Sequence, residues 1–84
     1  MNYLPGDSIL VLGNTSPNVI LNIILIDPEG NEVKMKETFS DKNGQISESS
    51  FRIPNNAEPG MWTINANSGS NYDIIEIEVL ATLQ

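Results

Sequence analysis

Five turn signals divide this chain into short apolar runs, and no other feature restricts its possible folds as tightly. They are Pro5-Gly6-Asp7, Asp27-Pro28-Glu29-Gly30, Asp41-Lys42-Asn43-Gly44, Glu58-Pro59-Gly60 and Ser68-Gly69-Ser70-Asn71. Glycine reaches positive φ without a Cβ clash, and proline presets φ for a turn. No run between these signals holds a three-and-four periodicity, so no helix is predicted. Short β-rich runs at this spacing predict an all-β antiparallel sandwich of six to seven strands.

Six of those strands can be delimited: 8–13, 19–26, 32–39, 45–53, 60–67 and 72–80. Alternation then assigns their faces, because successive strand side chains point to opposite sides. Ile75, Ile77 and Val79 share a core face, with Glu76 and Glu78 opposite. Trp62, Ile64 and Ala66 share another, and the size of Trp62 makes it the expected anchor of the core. The first two strands depart from the pattern. Ile9, Val11, Leu21, Ile23 and Leu25 are expected to point inward, which leaves Leu10, Leu12, Ile20, Ile24 and Ile26 on the opposite side. If these two strands pair, their outer side carries an apolar stripe, and a contiguous stripe of that kind marks a contact surface. The expected partner is a neighbouring domain of the parent protein or another protein copy. The alternative is that flanking loops or termini cover the stripe. Lys34 and Lys36, alternating with Val33 and Met35, would suit a guarded sheet edge.

Eighty-four residues make one domain, residues 1–84, with a hydrophobic fraction of 39%, enough for a single core. The formal net charge is −7, from eleven acids and the four bases Lys34, Lys36, Lys42 and Arg52. Nucleic acid is therefore not an expected partner, since binding it needs clustered Lys and Arg. No apolar run approaches the roughly 20 residues of a membrane span, so this fragment is not expected to insert into a membrane. No basic, apolar leader is visible at the start. The chain reads as a piece excised from a larger multi-domain protein.

The turn motifs occur in a familiar order. Tyr3-Leu4-Pro5-Gly6-Asp7 is followed by Asp27-Pro28-Glu29-Gly30-Asn31-Glu32-Val33, then Asp41-Lys42-Asn43-Gly44-Gln45-Ile46, Phe51-Arg52-Ile53-Pro54 and Glu58-Pro59-Gly60-Met61-Trp62. Over residues 3 to 80 the chain resembles the immunoglobulin-like, macroglobulin-type domains of archaeal and bacterial surface or secreted proteins. The resemblance implies an immunoglobulin-like sandwich that acts as a non-catalytic spacer or interaction module, extracellular or at the cell surface. No thioester motif or bait-like segment is present, so protease trapping does not carry over.

Chemistry is restricted by what is missing. With no histidine and no cysteine, the usual general base, the usual zinc ligands and every His-dependent triad are excluded. No enzymatic activity is expected. No cofactor is expected either; the one ion considered is calcium near Asp41 and Asn43, which have the spacing of an oxygen-ligand loop but lack a bidentate Glu at the twelfth position. Asp27 with Glu29 is a poorer candidate. Asn14-Thr15-Ser16 fits a glycosylation sequon in a predicted loop. The alternative functional reading is a carbohydrate-binding module or an accessory domain of an exported enzyme. Of the five aromatics, Tyr3, Phe39, Phe51, Trp62 and Tyr72, three or more are expected to be buried, leaving Tyr72 as the exposed platform.

Overall fold

The tetrads Asp27-Pro28-Glu29-Gly30 and Asp41-Lys42-Asn43-Gly44 fold into the same turn. In the computed structural model, which describes residues 2–69 and 71–81, each aspartate Oδ1 accepts two backbone amides. Asp27 takes those of Glu29 at 3.0 Å and Asn31 at 2.8 Å, and Asp41 takes those of Asn43 at 2.8 Å and Gln45 at 2.9 Å. The turn closes when the glycine amide donates to the aspartate carbonyl, at 3.0 Å in both. Gly30 and Gly44 sit at φ +89° and +79°, where a Cβ would be strained. Ser70, in the last turn signal, lies outside the described residues.

These turns link seven strands: β1 (Asn2–Tyr3), β2 (Ser8–Asn14), β3 (Ile20–Ile26), β4 (Glu32–Phe39), β5 (Gln45–Arg52), β6 (Gly60–Ser68) and β7 (Asn71–Val79). The large sheet runs β1-β7-β6-β3-β4 and the small sheet is the β2-β5 pair. Every pairing is antiparallel except that of β1 with β7. The result is an all-β immunoglobulin-like sandwich. Strand β1 was not delimited in advance, because two residues are too few to show alternation.

The two inner faces meet in one core. Ile9, Val11, Ile23, Leu25, Phe51, Ile53, Trp62, Ile64, Ile77 and Val79 form the buried cluster. The inward set expected from β2 and β3, namely Ile9, Val11, Leu21, Ile23 and Leu25, is buried throughout. Trp62 is 3% exposed and its Nε1–H donates to the Glu58 carbonyl at 2.9 Å, so its polar atom is satisfied.

The expected pairing of the first two strands is corrected. Strand β2 pairs with β5, and β3 lies between β4 and β6 in the other sheet. The segment 15–19 is therefore a crossover between sheets. Ser40 fastens it: its Oγ donates to the Ser16 carbonyl at 2.7 Å and accepts the Val19 amide at 2.9 Å. The Asn18 amide also donates to the Asp41 carbonyl at 3.1 Å.

Candidate interaction surface

The residues expected to form one apolar stripe are divided between two opposite outer faces. Leu10 and Leu12, 56% and 65% exposed, stand on the small sheet. Ile20, Ile24 and Ile26 stand on the large sheet, Ile20 exposed and the other two half-buried. The alternation placed each side chain on the correct side of its own strand. It carries no information about which strand lies beside which, and that is why the stripe fails.

The large sheet has an apolar outer surface of its own that the sequence reading missed. Register aligns Ile74, Asn65, Ile24 and Met35 across β7, β6, β3 and β4. The next row on this face, Asn22 with Glu37, is polar, and beyond it lies the apolar pair Ile20 and Phe39. Met35, Phe39 and Ile74 are all more than half exposed. The Oδ1 of Asn65, in the middle of this row, is buried and has no hydrogen-bond partner among the described residues. Strand β4 carries Glu32, Lys34, Lys36 and Glu37 along the free edge of this sheet. That is the charged guarding an exposed edge needs, and Lys34 Nζ reaches across to the Arg52 carbonyl at 3.3 Å.

Two other expectations are corrected. Ile75 lies on the inner face opposite the buried Ile64, yet it is 37% exposed. Among the described residues the small sheet ends at β2, and no strand covers that end of β7. Of the aromatics only Phe51 and Trp62 are buried; Tyr3 is half-buried, and Phe39 and Tyr72 are exposed. Phe39 was missed as an exposed ring because β4 is an edge strand whose outer face is uncovered.

The acidic residues do structural work in the turns. Backbone donation from Asn31, foremost, holds the Asp27 carboxyl below its usual pKa. Glu29 is held above its usual value, first by a side-chain hydrogen bond with Glu58, then by desolvation and by the negative charges of Glu58 and Asp27. Two carboxyl groups can share such a bond only when one is protonated. Among the described residues, no group of three or more acidic side chains is arranged to hold a metal ion. Asn14 of the sequon is exposed but closes β2 rather than sitting in a loop.

No protein-family model matches the chain. It is 36% identical over 52 residues, 62% of its length, to S-layer protein B of Metallosphaera sedula, of which it covers 12%. Trypsin-activated alpha-2-macroglobulin from Escherichia coli superposes with a TM-score of 0.78 at 27% identity, over 93% of this chain and 6% of that one. A Salmonella alpha-2-macroglobulin variant gives 0.76 at 22% identity, over 99% of this chain and 6% of that one. The chain thus spans a small fraction of each of these proteins. Its fold is that of an immunoglobulin-like, macroglobulin-type domain.

Proposed function

We propose that this domain is a non-catalytic structural and interaction module, a spacer or adhesion repeat, of a larger extracellular or cell-surface protein. The observation that carries this reading is the match of 52 residues to a protein named for a surface layer. The macroglobulin-type fold, and the lack of any histidine or cysteine for catalysis, support it. The partners proposed are neighbouring domains of the parent protein or another protein copy. The apolar outer faces, with Leu10 and Leu12 on one and Ile20, Ile24 and Ile26 on the other, are the surfaces proposed to meet them.

The shape suits such a part. The sandwich extends 45 Å along its longest axis and 21 Å and 17 Å across it. Its first and last described strands lie side by side, with Asn2 opposite Glu78 and the Leu80 amide donating to the Tyr3 carbonyl at 2.8 Å. A module held this way projects its far loops away from its attachment. The test is antibody labelling of intact cells that produce the parent protein, with the antibody raised against this domain. Labelling without permeabilisation is expected. Labelling only after permeabilisation would refute a surface role.

A carbohydrate-binding module or an accessory domain of an exported enzyme is the second reading. The exposed rings of Tyr72 and Phe39, on the same outer face, favour the first of these. A glycan array on which no sugar binds would dismiss it.

A further inference from the structure

Among the described residues, one sheet edge is both unguarded and set beside an uncovered part of the core. Strand β2 forms a ladder with β5 on one side only. The Asp7 carbonyl accepts from Ile53 at 2.8 Å and the Thr15 amide donates to Gly44 at 2.7 Å, so odd-numbered residues face β5. Backbone groups alternate along a strand, so the amides and carbonyls of Ser8, Leu10, Leu12 and Asn14 face the open side. Buried or not, such groups seek partners, and natural edges are blunted with charge or proline. Strand β4, one edge of the large sheet, has four charged residues, and the part of β7 that β1 leaves unpaired at the other edge has Asp73 and Glu76; β2 reads Ser-Ile-Leu-Val-Leu-Gly-Asn and has none.

Below that open side the core is uncovered. Two hollows of about 280 Å³ and 240 Å³ share Val11, Leu12 and Ile75 and so form one groove along β2. Its floor is Ile75 and Ile77 of β7, with Tyr3 of β1 at one end and Asp73 at the other. A third strand of the small sheet would place its inward side chains on Ile75. It would hydrogen-bond Leu10 and Leu12 with its backbone.

We infer that β2 accepts an extended strand from another polypeptide, one with apolar side chains at alternate positions and basic residues at its ends. Main-chain pairing would supply affinity, and the alternate apolar residues would fit the groove. The charge preference follows from the lining: Asp73 is its only charged residue, Asp7 precedes β2, and the domain as a whole carries −7. A lone strand fits where a second copy of this chain does not. Strands β7 and β1 extend the large sheet beneath the open side, and a second copy would bring its own large sheet into that space. This inference gives the interaction role proposed above a specific partner and rests on that reading. The cell-labelling test and the one below fail independently.

The probe is a synthetic strand as long as β2, with valine and threonine alternating and lysine at each end. Amide hydrogen exchange of the 84-residue domain is followed by NMR with and without it. Exchange at Leu10, Leu12 and Asn14 is expected to slow by about tenfold or more at saturation, as for amides brought into a ladder. Leu12→Pro removes an open-side donor without touching the β5 ladder and should abolish the slowing, as should Ile75→Lys in the groove floor. Ile74→Lys, on the opposite face of β7, should leave it intact. A probe with aspartate at each end should bind more weakly. Unchanged exchange at Leu10 and Leu12, slowing at Lys34 and Lys36 instead, or binding indifferent to Leu12→Pro and Ile75→Lys would overturn the inference. Protection of Leu10 and Leu12 that grows with protein concentration and needs no probe would also overturn it, in favour of a second copy.

Discussion

Replacing Gly44 by alanine should destabilise this domain far more than replacing Gly30, although the two glycines occupy the same position of the same turn. Their φ angles are nearly equal, +79° and +89°. An alanine in the left-handed region costs roughly 1–2 kcal/mol, and the stiffer unfolded chain returns about 0.4–1 kcal/mol of that. Gly30→Ala should therefore cost about 1 kcal/mol, since a Cβ there meets nothing within 4 Å. At Gly44 the Cβ would collide with the Thr15 carbonyl oxygen, which belongs to the backbone of the crossover and not to a flexible side chain. Relief requires moving the 15–19 segment off the β4–β5 turn. That breaks the bond from the Thr15 amide to the Gly44 carbonyl, 2.7 Å long, at a net cost of about 1 kcal/mol. The accompanying backbone displacement costs about 1–3 kcal/mol more. The total for Gly44→Ala is then about 3–5 kcal/mol. Urea unfolding followed by Trp62 fluorescence would give both values. At about 4–8 °C per kcal/mol for a domain of this size, calorimetry would separate the two variants by about 8 °C or more. Equal losses for the two variants would refute the packing of the crossover on this turn.

Trp62→Ala should cost about 3–5 kcal/mol through the cavity it opens. Trp62→Phe should cost about 1–3 kcal/mol, because the Glu58 carbonyl also loses its donor; both can be read from chemical denaturation. Glu29 has a raised pKa in the fold, so its stabilising contribution is complete below its unfolded pKa and is lost as pH rises through the folded value. Glu29→Gln should therefore raise the thermal midpoint at pH 7 and flatten its dependence on pH on the acid side; a midpoint lowered at pH 7 would contradict the carboxyl pairing with Glu58. Calcium at millimolar concentration should leave the thermal midpoint unmoved, because Asp41 Oδ1 already holds two backbone amides. An upward shift that Asp41→Asn abolished would show a site.

Much of the fold could be read from the sequence because its signals are local. Asp27 and Asp41 announce their turns through side chains that bond their own backbone two and four residues on. Inward and outward sides followed from a period of two, and β4 was delimited to the residue. Sheet membership was not legible. Leu10 and Ile24 look alike in sequence, yet they face opposite sides of the sandwich. The clue was the five-residue segment at Asn14–Asn18, which has Pro17 where a hairpin would carry a tight turn. The open groove was equally hidden: Ile75 alternates like any core residue, and only the lack of a strand above β7 exposes it. The carboxyl pair of Glu29 and Glu58 joins residues far apart in the chain and leaves no local pattern.

The central claim is that the small sheet ends at β2 and leaves a usable edge there. Native-state hydrogen exchange of the isolated domain tests it most directly. The amides of Leu10 and Leu12 should exchange quickly while those of Val11 and Gly13, on either side of Leu12, are protected by β5. Protection at Leu10 and Leu12 equal to that at Val11, in dilute solution, would mean that the edge is already occupied.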